Sequence, residues 1–194
     1  MKIKNILYVF LLINIVMASD IRAMEQPNKK QNAKNDRDLK NAVKDNDENK
    51  VRRLLNARYI DTNIKGINGN TPLISAVIND NPKIVQMLLD VNANTNMQDN
   101  NGNTALIWEV KNNNPQIIEM LLYNGANLDI QDKDGYTALI LAVQNNKPEI
   151  VQILLDKGAN LDIQDKDGLI ALKWAARKKN KEIIEMLVLR DVWL

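Results

Sequence analysis

Asp132-Lys133-Asp134-Gly135 and its copy Asp165-Lys166-Asp167-Gly168 set alternate carboxylates before a glycine, a pattern that could ligate calcium. The register excludes it. With Gly135 as the loop's required glycine, the first ligand position falls on Ile130, and Leu141 stands where a bidentate glutamate is needed. Turn formation explains the same residues, since glycine supplies a positive φ and aspartate bonds its own backbone. Hydrolytic chemistry fares no better. Ser, Asp and Glu are present, but the chain has no Cys and no His, so the usual nucleophile activators and the commonest metal ligand are missing. A catalytic carboxylate pair would need a pocket. The sequence therefore predicts no enzyme, no metal site and no cofactor, and without Cys it can form no disulfide.

The elements that hold these turns repeat. Residues 125–135 (Gly-Ala-Asn-Leu-Asp-Ile-Gln-Asp-Lys-Asp-Gly) return unchanged at 158–168, a period of about 33 residues that marks an array of small units. Each unit is too small to bury its own apolar face and is completed by its neighbours. Aromatics make up 4% of the chain, so the core must be built from Leu, Ile, Val and Ala. Asparagine is conspicuously frequent; with Lys and Ile also common, this suggests an AT-rich genome.

Residues 1–23 have the form of a secretory signal. Lys2 and Lys4 precede an apolar run at 6–17, and small residues follow at Ala18 and Ala23. Cleavage after Ala23 is favoured over Ala18, because it leaves a short polar stretch after the apolar run. The run is shorter than the roughly 20 residues of a spanning helix. Removing Lys2, Lys4, Asp20 and Arg22 takes the formal charge from +2 to zero. Nucleic acid is therefore an unlikely partner, and a membrane would be met only through an uncleaved N-terminal segment. Residues 24–36 have almost nothing to bury and are expected to be a flexible linker.

From Leu39 the spacing becomes helical, with Leu39, Ala42 and Val43 on one face, a polar break, then Val51, Leu54 and Leu55. The same helix pair recurs. First helices start at Thr71-Pro72-Leu73, Thr104-Ala105-Leu106, Thr137-Ala138-Leu139 and Ile170-Ala171-Leu172, where threonine can cap and proline fits the first position. Second helices carry Ile84-Val85, Ile117-Ile118, Ile150-Val151 and Ile183-Ile184, apolar over more than one face and so packed on two sides. Asn81-Pro82 and Asn114-Pro115 start two of them, while Gly125, Gly158 and Asn92 stop helices. Gly69, Gly102, Gly135 and Gly168 mark polar connections expected to project as hairpin-like fingers.

These residues resemble the ankyrin repeat, whose pattern is D-x-x-G-x-T-P-L-H-x-A, then I-V-x-x-L-L, then G-A. The resemblance covers Leu39 to the C-terminus and implies an all-α ankyrin-repeat solenoid of helix-turn-helix units with hairpin-like connecting loops. The repeat domain spans 37–194, in units of about 37–62, 63–95, 96–128, 129–161 and 162–194. The first unit carries one extra residue in the connection at 57–62. The resemblance also implies a non-enzymatic protein-interaction scaffold that binds along the concave face of fingers and first helices. A secreted, Asn-rich array is similar to those of AT-rich intracellular bacteria, some of which act on host proteins. The departures matter too. Ile74, Ile107, Ile140 and Lys173 stand where the family has a histidine, so its bonds between loops must be replaced by packing. Glu109 stands where Ala76, Ala142 and Ala175 recur, and an unpaired buried carboxylate would cost several kcal/mol. Its side chain is expected to tilt out to solvent, with the sharper alternative that it marks a binding hot spot.

The family's variable positions fall here on Asn70, Ile78 and Asn79; Asn103, Lys111 and Asn112; Tyr136, Gln144 and Asn145; Leu169, Arg177 and Lys178. Aromatic and Arg anchors favour Tyr136 and Arg177. Trp108 and Trp174 share one repeat position, core or rim. The last unit lacks the polar face that usually closes an array, with Leu189, Trp193 and Leu194 at its end, which invites self-association, a covering partner or a shortened gene as explanations. The expected function is an exported, secreted or periplasmic protein-binding array; the alternative is a membrane-tethered spacer with an uncleaved anchor. Mass spectrometry of the mature N-terminus separates them: a start at Met24 is expected, and retention of Met1 would favour the tether.

Overall fold

The computed structural model describes residues 29–57 and 60–192. The signal, residues 24–28 of the expected linker and Trp193-Leu194 lie outside them. Among the described residues ten helices form five pairs: α1 (Lys29–Lys44) with α2 (Glu48–Leu55), α3 (Pro72–Ile78) with α4 (Pro82–Asp90), α5 (Ala105–Asn112) with α6 (Pro115–Tyr123), α7 (Ala138–Gln144) with α8 (Pro148–Asp156), and α9 (Ala171–Lys178) with α10 (Lys181–Val192). Odd-numbered helices pack on one another in sequence as an inner layer, and even-numbered helices do the same as an outer layer. Among the described residues no strand forms, and the array is all-α.

Local chemistry sets the helix starts. The hydroxyls of Thr71, Thr104 and Thr137 accept from the backbone N–H of Ile74, Ile107 and Ile140, and Asn81 and Asn114 cap the outer helices α4 and α6 with proline following. The core runs unbroken through the layers. Leu73, Leu106 and Leu139 of the inner helices and Leu88, Leu121 and Leu154 of the outer ones are fully buried, each contributing about 2 kcal/mol. Ile74, Ile107 and Ile140 are buried with them, so packing does replace the family's histidine, whereas Lys173 is exposed and its ammonium donates to the Gly168 carbonyl at 3.5 Å.

Helix α1 differs from expectation. It begins at Lys29, inside the stretch expected to be a linker, so residues 29–36 are helical. They show no apolar stripe, and periodicity therefore gave no signal. Lys, Gln and Ala favour the helix intrinsically, and Asp36 accepts from the Asp61 backbone N–H at 2.9 Å, fixing the segment to the far end of its own unit.

The fingers close by backbone bonds: Asp99 N–H to the Asn103 carbonyl, Asp132 to Tyr136, and Asp165 to Leu169. Successive fingers also bond edge to edge, from Asn100 to Asn68, Lys133 to Asn101 and Lys166 to Asp134. That approach leaves no room for a side chain at Gly135. An added Cβ would lie 2.8 Å from the Lys166 nitrogen, while at Gly125 nothing lies within 4 Å, although both have positive φ (+83° and +80°). Gly125→Ala is therefore expected to cost about 1–2 kcal/mol from backbone strain alone, and Gly135→Ala about 3 kcal/mol or more once the finger contact is displaced. Urea denaturation of the two variants checks this; equal losses would mean that the fingers give way freely.

Candidate partner-binding face

Inner helices and fingers meet at an aspartate. Asp99 Oδ1 accepts from the backbone N–H of Asn101 and Asn103, and its Oδ2 accepts from the Trp108 indole N–H at 2.8 Å. Asp165 repeats the arrangement with Asp167, Leu169 and Trp174, the last at 2.7 Å. Burial raises the pKa of each carboxyl, but the donated hydrogen bonds outweigh it and hold both below the ordinary aspartate value. Each indole is thereby fixed to the base of a finger with one ring face free to take a cation. The Lys111 ammonium lies 4.8 Å from the Trp108 ring centroid, and the Arg177 guanidinium 5.6 Å from that of Trp174. Tyr136, from the finger between them, meets Trp174 edge to face at 6.2 Å and 72°.

This face spans units that sequence comparison also recognises. A family model of ankyrin repeats, three copies long, matches residues 39–132 and again 106–192. The chain belongs to the ankyrin repeat family. None of the curated proteins matches it. Ankyrin arrays are interaction modules, generally without catalysis of their own, and the sequence-predicted contact residues can be placed on this one. Lys111, Asn145, Arg177 and Lys178 are exposed along the inner layer, and Tyr136 and Gln144 are half-buried beside them. Asn70 and Ile78 line a groove of about 440 Å³ between α1, α3 and the first finger, with Arg37, Lys40 and Ile67 opposite.

Other candidates serve the array itself. Asn103 is 3% exposed and its amide donates to Asp99, while Leu169, which closes the last finger, is 8% exposed, so neither offers its side chain to a partner here. The amides of Asn79 and Asn112 are exposed but donate to the carbonyls of Val43 and Val77 in the preceding unit. The two tryptophans are the residues that sequence reasoning left undecided. Their signal was an Asp nine residues before each Trp and a cation three residues after it, one helical turn on.

Glu109 requires a correction. It neither tilts to solvent nor offers itself to a partner: the residue is 0% exposed, as are Ala42, Ala76, Ala142 and Ala175 at the matching positions. Room is made by a change of helix ending. In four units the residue after the left-handed turn residue donates to the carbonyl of that alanine: Asp47 to Ala42, Asn81 to Ala76, Lys147 to Ala142 and Asn180 to Ala175. This is the Schellman arrangement. In the third unit Asn113 donates to the Glu109 carbonyl instead, and the freed Asn114 N–H is taken by Glu109 Oε1 at 3.2 Å. The simpler left-handed cap thus replaces the Schellman cap, and the carboxyl completes it. Its Oε2 has no hydrogen-bond partner.

Burial, with repulsion from Asp80 added, pushes the Glu109 pKa up from 4.5 to about 7, against the opposing pull of the Asn114 N–H, Asn112 and Lys147. The unfolded chain therefore loses this proton first as pH rises. The contribution of the neutral carboxyl is whole below about 4.5 and is lost as pH climbs through about 7, up to about 3 kcal/mol across the window. Glu109→Ala, which restores the repeat's own residue, is expected to raise the melting temperature by about 5 °C at pH 8, with the gap closing toward pH 4.5. Calorimetry at both pH values checks this; a gap independent of pH would remove the carboxyl as its cause.

Proposed function

We propose that this array is exported and captures another protein, of host or bacterial origin, on the face built from its fingers and inner helices. The observation that carries the reading is the row of two tryptophans, each held upright by a buried aspartate and covered by a cation, with Tyr136 between their units. Rigid aromatic and Arg side chains are the residues that most often anchor protein interfaces, because they bring large contact area with little entropy to lose. Their rigidity here comes from carboxylates that also hold the finger turns, as Asp132 does in the unit without an indole.

Export rests on residues 1–23, and so does the alternative of a tethered spacer. No helix among the described residues is long and apolar enough to cross a membrane. Self-association through the last unit draws support from Val188 and Leu189 of α10, 43% and 62% exposed.

A photo-crosslinking side chain at Asn145, exposed on the inner face, is expected to trap a protein from host or bacterial extracts, with the adduct lost in Tyr136→Ala and Arg177→Ala. The same probe at Glu119, exposed on α6 of the outer layer, is the comparator. Adducts at Glu119 alone would place the interface on the opposite side and refute the proposal.

A further inference from the structure

We propose that the inner face takes an extended acidic peptide segment, seating one carboxylate on Lys111, a second on Arg177, and an apolar side chain between them against Tyr136. The inference rests on the inner face being the partner site and adds the chemistry of the partner. The inner helices of the last four units are basic, whereas the outer layer is mixed, with Arg52, Lys83 and Arg190 among its acids on α2, α4 and α10. The inner helices α5 and α9 present Lys111, Arg177 and Lys178, and the only acid on α3, α5, α7 or α9 is the enclosed Glu109. The outer helices α6 and α8 carry Glu119, Glu149 and Asp156 with no cation.

Neither cation is held in an ion pair, although Arg177 stands near enough to Asp165 to help keep that carboxyl ionised. Among the described residues the single ion pair joins Lys83 to Glu48, both on the outer side. The Lys111 ammonium donates once, to Asn103 Oδ1 at 2.9 Å, and keeps two donors. Arg177 donates to no side chain among the described residues, and its guanidinium lies over the Trp174 ring, 5.6 Å from the centroid, with a planar fork of donors that matches a carboxylate. Asp165, close behind, has both oxygens occupied by Asp167, Leu169 and Trp174.

Spacing fixes the ligand's shape. Lys111 and Arg177 lie on inner helices two units apart, and helices packed at about 8–10 Å put them about 16–20 Å from each other. An extended chain at about 3.3 Å per residue covers that in five or six residues. A nucleic acid fits less well. Its continuous phosphates would run over Asp132, Asp134 and Asp167 of the fingers, whereas carboxylates at intervals meet the two cations and avoid the acids between.

The test is a titration of the isotope-labelled protein, following the indole N–H resonances of Trp108 and Trp174. The probes are synthetic peptides bearing two glutamates three to eight residues apart with a leucine midway, a lysine-for-glutamate version, and oligothymidylate. Saturable shifts at both indoles are expected, tightest at a spacing of five or six, weakened about three- to fivefold by Lys111→Gln or Arg177→Gln and unchanged by Glu119→Gln. Tighter binding of the lysine peptide or of oligothymidylate, or affinity indifferent to spacing, would overturn the proposal. If no glutamate peptide binds while Asn145 still crosslinks to a protein, the acidic chemistry falls and the inner face stands. If both fail, the face falls as well.

Discussion

Asparagine carries most of the side-chain bonds between neighbouring units, and these hold the array in register together with the backbone bonds of the fingers. At the inner helix ends, amides of Asn79 and Asn112 reach carbonyls one unit back. At the turns within each pair, Asn81, Asn114 and Asn180 donate to Asn46, Asp80 and Asn146. Ahead of the fingers, side chains of Asn63, Asn96 and Asp129 accept from the backbone of Asn94, Asn127 and Asn160. The reason is one of accounting: turns between short helices expose many backbone groups, and those pressed between units must find a partner. A short amide that both donates and accepts satisfies them from the adjacent unit. The abundance of asparagine that suggests genome composition thus also has a physical use.

Two kinds of buried carboxylate, one belonging to the repeat pattern and one departing from it, follow the same rule of satisfaction with opposite results. Asp99 and Asp165 are buried carboxylates with every oxygen in use, and they convert two indoles from core filler into a fixed surface. Glu109 is a buried carboxylate with one oxygen in use and one idle. The satisfied pair builds a face; the half-satisfied residue taxes the fold and bends a helix ending to fit.

Helices, caps and positive-φ glycines were legible in the sequence because their causes lie within a few residues: Thr71 caps Ile74, and Gly135 turns the finger that Asp132 begins. The repeat period extended that local information to the fold. The candidate face was legible only in part. Lys111, Tyr136 and Arg177 stand where the pattern places variable residues, but Asn103 and Leu169 stand there too and are buried, since exposure depends on how each side chain is used within its own unit. The fate of Glu109 was hidden because a change in cap geometry supplies the one partner that lets it stay at an enclosed position, and residue spacing is unaltered by it. Helix α1 was longer than apolar periodicity could show, because its first turns rest on propensity and on one bond to Asp61.

The fourth unit interrupts the asparagine ladder. Lys147 stands where Asn81, Asn114 and Asn180 stand in their units; it gives α8 no side-chain cap and reaches back only to the Lys111 carbonyl at 3.4 Å. Among the described residues no asparagine amide ties the inner helix end of this unit to the third. On the other edge the same two units stay joined, through Lys133 to Asn101 and Gln98 to the Gln131 carbonyl. One edge of the seam is thus stitched by several bonds and the other by a single long one, so the third and fourth units are held to each other at the inner helix ends chiefly by the apolar core they share.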